Sequence, residues 1–153
     1  MIILEDFLTL KKQLCFAIYE TAGEFNKLYA SILQPFGLTY PQYLVLLSLW
    51  EKDGVTVKAL GEELHLGTGT LTPMLSRMEA NGWIRKERSK EDERKVYIQL
   101  QEKAYEEKSA ITQKVAETME SCNIERNEYE QLMQQLNTLN QKLKEQKKKS
   151  TLS

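Results

Sequence analysis

Apolar residues recur at steps of three and four from Leu4 to Leu33: Leu4, Phe7, Leu8, Leu14, Cys15, Ile18, Tyr19, Ala22, Phe25, Tyr29, Ile32 and Leu33. That spacing predicts one long amphipathic helix. Gly23 is its weak point, and Pro35 with Gly37 ends it. Thr39-Tyr40-Pro41 has the form of a second helix start, because proline is tolerated in a first turn. Tyr43 to Trp50 is nearly all apolar, so this helix is expected in the middle of the domain, with Asp53-Gly54 as its stop. Val57 to Leu64 predicts a short helix with Ala59, Leu60 and Leu64 inward, followed by a turn at Leu66-Gly67. A further helix begins within Thr68 to Thr70 and runs to Ala80, stopped by Asn81-Gly82. Pro73 favours the later start, because only a first turn loses no internal bond to a missing N–H.

The period then changes. Trp83 to Arg88 and Lys95 to Leu100 predict two strands, with Val96, Ile98 and Leu100 alternating. The charged segment Ser89-Lys90-Glu91-Asp92-Glu93-Arg94 between them forms a hairpin tip. From Gln101 the helical period returns. Ala104, Lys108, Ile111, Val115, Thr118 and Cys122 fall on one seam, and Tyr129, Leu132, Leu136, Leu139 and Leu143 on another after a break at Asn123. Lys147-Lys148-Lys149 and the last four residues are expected to fray. The predicted fold is mainly α with a small β-hairpin: a winged helix-turn-helix. Its N- and C-terminal helices carry more apolar face than one small lobe covers, so they are expected to dimerise. The expected divisions are a dimerisation helix over 1–38, a DNA-binding domain over 39–100, dimerisation helices over 101–146 and a flexible tail over 147–153.

Composition narrows the function. The 153 residues are 41% hydrophobic and 28% charged, which excludes disorder as a whole-chain state. No run approaches eighteen apolar residues, and Glu5-Asp6 interrupts any signal-type apolar start, so a cytosolic location is expected. Net charge is −1, and a nucleic-acid role must therefore rest on local charge. From Arg77 to Lys95 there are seven basic residues (Arg77, Arg85, Lys86, Arg88, Lys90, Arg94, Lys95) against five acidic ones. Two cysteines, Cys15 and Cys122, are too few and too far apart for a zinc site or a disulfide framework. No metal or other cofactor is expected. The one histidine, His65, closes a short helix and is expected at a surface turn.

A helix-turn-helix sets its second helix in the major groove of DNA. Here that helix opens Gly67-Thr68-Gly69-Thr70-Leu71-Thr72-Pro73. Thr68, Thr70 and Thr72 can donate to phosphates or bases, and Gly69 permits close backbone approach. Leu71, Leu75 and Met78 take the inner face, while Ser76 and Arg77 lie outward. Arg85, Lys86, Arg88 and Lys90 supply positive charge from the wing. At its tip, Asp92 is expected to hold the hairpin through a basic partner while Arg94 enters a narrow minor groove.

The stretch Thr39-Tyr-Pro-Gln-Tyr-Leu, the helix Gly69-Thr-Leu-Thr-Pro-Met-Leu-Ser-Arg-Met-Glu and the wing Arg88-Ser-Lys-Glu-Asp-Glu-Arg closely resemble the MarR family of bacterial repressors. With Gln13-Leu-Cys15-Phe they resemble its organic-hydroperoxide-sensing branch. The resemblance covers nearly the whole chain. It implies a triangular homodimer, held by the terminal helices, on a pseudo-palindromic operator, with organic hydroperoxides as effectors. Gly67 and Ser76 depart from the pattern, because relatives often carry an acidic and a basic residue there.

A free cysteine on a helix face is commonly a small hydrophobe. Cys15 has a second reading as a peroxide-reactive thiolate, which hydrogen-bond donors favour. Tyr19, Tyr29 and Tyr40 are donors of the right kind. The resemblance places Tyr29 and Tyr40 of the partner subunit near Cys15. It also implies that Cys122 of the other subunit resolves oxidised Cys15 as an intersubunit disulfide, or, as in one-cysteine members, that small thiols do so. Three rival readings stay open: a repressor released by a small phenolic ligand, a thiol peroxidase, and a helical scaffold.

Overall fold

The computed structural model describes residues 1–152. Helices α1 (Leu14–Leu33), α2 (Tyr40–Glu51), α3 (Val57–Leu64) and α4 (Thr68–Ala80) precede strands β2 (Ile84–Arg88) and β3 (Val96–Leu100). A two-residue strand, β1 (Val55–Thr56), lies just before α3, and α5 (Glu102–Ser121) and α6 (Arg126–Leu152) follow β3. The chain divides into a larger unit, Met1 to Lys114, and a smaller one from Val115 onward. Among the described residues no helix is long and apolar enough to cross a membrane.

The first helix is shorter than its apolar spacing predicts. Residues 4–7 and 10–12 form two separate 3-10 turns, and Gln13 is extended (φ −80°, ψ 123°). The Gln13 carboxamide donates to the Phe7 carbonyl at 2.7 Å, which folds this lead segment onto itself. Periodicity reports an apolar face, not the continuity of the backbone beneath it. The start of α2 follows the sequence closely. Thr39 accepts from the Gln42 N–H, and the Gln42 side chain accepts from the Thr39 N–H at 3.0 Å, a reciprocal capping box. Tyr43, Val45, Leu46 and Leu49 are buried, as a helix so rich in apolar residues requires. In α3 only Leu60 of the three expected inward residues is fully buried; Ala59 is exposed and Leu64 half-buried.

The fourth helix starts earlier than Pro73 suggests. The Thr70 and Leu71 N–H groups both donate to the Gly67 carbonyl, at 3.1 and 2.9 Å, so the helix begins at Thr68 with Pro73 inside it. The price of the missing proline N–H is one bond on an exposed face. Leu71, Met74, Leu75 and Met78 pack inward. The sheet is three-stranded and antiparallel in the order β1-β3-β2, with Val55 opposite Ile98 and Lys86 opposite Ile98 on the other side. Two residues are too few for a visible alternation, which hides β1 in the sequence.

Close approach of α3 and α4 depends on Gly61. A Cβ there would lie 2.8 Å from the Leu66 carbonyl oxygen, and Leu66 itself donates back to the Gly61 carbonyl at 3.0 Å. The obstacle is backbone and cannot swing aside. Gly61→Ala is therefore expected to destabilise the fold by about 1–3 kcal/mol, seen as a lower midpoint in thermal unfolding. His65, at φ 57°, closes α3 as an exposed turn residue.

Asp53 ties the wing to the helix that follows it. One carboxylate oxygen accepts the Leu100 N–H at 2.9 Å, and the other accepts the Tyr105 hydroxyl at 2.9 Å. That hydrogen bond, with the nearby negative charge, pushes the Tyr105 phenol above its usual range. Its contribution is present throughout neutral pH and is lost only as pH rises through the elevated phenol pKa.

In the smaller unit α6 continues to Leu152, through the described part of the segment expected to fray; Ser153 lies outside the described residues. The Ser150 and Thr151 hydroxyls donate to the Gln146 and Lys147 carbonyls, and lysines suit a helix C-terminus. Tyr129, Leu132, Met133, Leu136 and Leu143 on α6 are all exposed. So are Leu4, Phe7, Leu8, Leu14 and Ile18 in the larger unit.

Candidate nucleic-acid interface and thiol sites

Helix α4 presents an open N-terminus. Gly67 stands at its N-cap with no side chain to accept the first N–H groups, which leaves them directed outward as a site for anions. Thr68, Gly69, Thr70, Thr72, Pro73, Ser76 and Arg77 are all exposed. A Cβ at Gly69 would meet nothing within 4 Å. The fold itself therefore does not demand glycine there.

Between this helix and the wing lies a cleft of about 670 Å³. It gathers Thr68, Thr72, Lys86, Arg88, Asp92 and Arg94 from the sequence-predicted set. Lys58 of α3 and Lys95 join them, so five cationic side chains face one carboxylate, above an apolar floor that includes Val57 and Leu75. This concentration is stronger than the excess visible along the sequence. Lys58 was missed because it is a lone basic residue on a short helix, with no neighbour in sequence to mark it.

The other wing residues separate by strand face. Arg85 lies opposite Gln99 and donates to its side chain at 3.0 Å, with Glu87 3.8 Å away. It lines no part of the cleft, and neither does Lys90. Arg88 donates to the Glu93 carbonyl at 2.7 Å and so braces the hairpin tip. Asp92 accepts the backbone N–H of Arg94 at 3.1 Å, not its guanidinium. The carboxylate thus shapes the tip without neutralising Arg94, whose guanidinium has no ion pair among the described residues.

Cys15 is exposed at the start of α1, and not covered within its own chain as an inner-stripe residue would be. Its thiol lies 3.7 Å from the Gln13 side-chain oxygen. Tyr19 is also exposed. Tyr29 and Tyr40 instead belong to an aromatic cluster, stacked with ring centroids 4.7 Å apart, and Tyr43 stacks on Tyr29 at 5.7 Å. Tyr43 meets Trp50 edge-on at 6.5 Å, and the Trp50 indole N–H donates to the Ala104 carbonyl at 3.2 Å. The cluster therefore connects α1 and α2 to the first turn of α5. Cys122 is exposed in the turn just beyond α5, where its thiol lies 3.4 Å from the Thr118 carbonyl. Among the described residues no group of side chains is arranged to hold a metal ion.

A tight helix pair followed by a basic, three-stranded wing defines a winged helix-turn-helix protein. The family model of the SarA/Rot transcriptional regulators matches residues 27–111, more than half the chain. The chain belongs to this family of MarR-like winged-helix transcriptional regulators, which are not enzymes. It is 53% identical over 97 residues to the organic hydroperoxide resistance transcriptional regulator of Bacillus subtilis, an alignment covering 63% of this chain and 66% of that relative. The fold matches that of reduced AbfR bound to DNA, a Staphylococcus epidermidis protein, with TM-score 0.81 and 36% identity over 94% of this chain and 98% of the other. Disulfide-formed AbfR matches with TM-score 0.65 and 38% identity over 88% and 95%.

Proposed function

We propose that the chain is a cytoplasmic, homodimeric, DNA-binding repressor that releases its operator when organic hydroperoxide oxidises Cys15. The observation that carries the DNA half is the cationic cleft beside the uncapped start of α4. Phosphates supply most of the affinity of such an interface, and the helix start and wing tip supply position. Residues 39–100 form the reading domain. Thr68, Thr70 and Thr72 donate at the helix start, Arg77 reaches outward from its last turn, and Arg94 and Lys58 flank it. Lys90 meets the backbone from the tip.

The apolar residues exposed on the lead segment, α1 and α6 support dimerisation through 1–38 and 101–146. In each unit such exposed apolar residues favour burial against a second copy. Dimerisation also brings Cys15 under cover, where Tyr19, Tyr29 and Tyr40 act as donors to its thiolate.

In the redox step the Cys15 thiolate attacks the terminal peroxide oxygen. The O–O bond breaks, the second oxygen leaves as alkoxide and takes a proton from solvent to become the alcohol, and sulfur is oxidised by two electrons to sulfenic acid. The Cys122 thiolate of the partner subunit then attacks that sulfur, forming the S–S bond and breaking the S–O bond, and the hydroxide takes a proton from solvent to leave as water. The oxygen added to the sulfur, and then the disulfide, displaces Tyr29 and Tyr40 from residue 15. The stack of Tyr29 on Tyr43, which meets Trp50 edge-on, passes the change to α5 and, through Asp53, to the base of the wing. That AbfR, a protein of the same fold, has been solved both reduced on DNA and with a disulfide formed supports a redox-coupled reading of this kind.

The test is a gel shift on DNA from upstream of the chain's own coding sequence, with and without cumene hydroperoxide and with thiol added afterwards. Binding, release and thiol-restored binding are the expected sequence of results. Arg94→Ala is expected to weaken binding at least tenfold. It should also lower the log–log salt slope by about 1.8, since each lost phosphate contact removes about 0.9 and a dimer loses two. An unchanged slope removes Arg94 from the interface.

A further inference from the structure

Helix α4 carries only one cation of its own, Arg77. Its outward line of hydroxyls, Thr68, Thr72 and Ser76, recurs every four residues and so lies along one face. Beside the end of that line sits a second cation that arrives from the wing. Lys86 is on β2, an edge strand of the sheet. Side chains alternate along a strand, so Lys86 shares a face with Ile84, which is buried in the core.

Two contacts fix Lys86 there. Its backbone N–H donates to a Glu79 carboxylate oxygen at 2.6 Å, so α4 covers this edge position. Its ammonium donates to the Ser76 hydroxyl at 2.8 Å. An ammonium has three donors, and this bond occupies one. Lys86 is half-buried, Ser76 exposed, and both Lys86 and Thr72 line the cleft. A lysine free on a wing would sample many rotamers. This one is held at backbone and head, where it lines the cleft.

We propose that Lys86 works as the second cation of the recognition helix, held on α4 by Ser76 and Glu79, and grips a DNA phosphate together with Thr72. The wing strand thereby supplies a charge that the helix lacks, and fixes the distance between helix and wing. This rests on the DNA-binding reading above.

The test measures the affinity of the full-length dimer for upstream DNA and for a random duplex across a salt series. Lys86→Met is expected to weaken binding about tenfold and to lower the log–log salt slope by about 1.8, for one phosphate per subunit. Ser76→Ala keeps the charge, so the slope stays while discrimination between upstream and random DNA falls several-fold. The double variant Ser76→Lys, Lys86→Met moves the cation onto the helix and restores the slope. Thermal unfolding checks that each variant folds, and the double variant carries the test if Lys86→Met alone does not. A slope unmoved by Lys86→Met, or unrestored in the double variant, overturns the proposal. If Arg94→Ala still lowers the slope, the DNA-binding reading survives that result. If the unaltered chain binds no DNA, that reading itself fails.

Discussion

Cys15→Ser is expected to bind upstream DNA with unchanged affinity and to keep it when cumene hydroperoxide is added at a dose that empties the unaltered protein. The two halves of this result have different physical origins. Serine nearly matches cysteine in volume, and residue 15 lies on α1, outside the cationic cleft. DNA affinity therefore survives. A hydroxyl is not oxidised by peroxide, so the response is lost completely and not merely weakened. Release of the Cys15→Ser variant at the normal dose would remove the thiol from the mechanism. Release of that variant by a phenolic compound would point to the ligand-responsive alternative.

Cys122→Ser separates the second oxidation step from the first. It should still respond to peroxide, but without the dimer band on a non-reducing gel. A disulfide needs its two Cα atoms within about 7 Å, so formation of the band measures a dimer geometry as well as a chemistry. If the band persists without Cys122, this thiol is not the resolving partner. Recovery from oxidation would then belong to small thiols.

The parts of the fold legible in the sequence were those with local chemical marks. Thr39-Tyr40-Pro41 marked the start of α2, α3 occupied Val57 to Leu64 as predicted, and Asn81-Gly82 stopped α4. What escaped lacked such marks. The lead segment before Leu14 kept a helical apolar spacing, yet the backbone broke at Gln13. Its apolar residues are exposed in the single chain, so their period reflects a surface awaiting cover and not one straight helix. Pro73 misled on the start of α4 because the carbonyl of Gly67, which takes two N–H groups, could not be weighed from residue types. The cleft was partly legible. The basic count of the wing was plain, but Lys58 became visible only once α3 stood beside the hairpin. Conversely, Arg85 looked equivalent to Lys86 until the strand alternation turned it to the opposite face, against Gln99. For the thiols, sequence marked candidate donors but not their grouping. Tyr29 and Tyr40 stack on each other, while Tyr19 stands exposed on α1.

Gly69→Ala should make the protein more stable and a much poorer DNA binder. Gly69 is the second residue of α4, its surroundings are open, and its backbone is helical. Alanine at such a site loses less chain entropy on folding, so stability should rise by about 0.4–1 kcal/mol. Nothing within the chain explains why this position forgoes that gain. Close approach of DNA backbone to the open N–H groups of Thr68 and Gly69 does explain it, since a methyl group would hold the phosphate off. A loss of about 1.4 kcal/mol in each subunit doubles across a dimer and lowers affinity roughly a hundredfold. Calorimetry and anisotropy should therefore move in opposite directions on one variant. A higher melting temperature with undiminished affinity would place the start of α4 away from the DNA. A lower melting temperature would show that the glycine serves the fold after all.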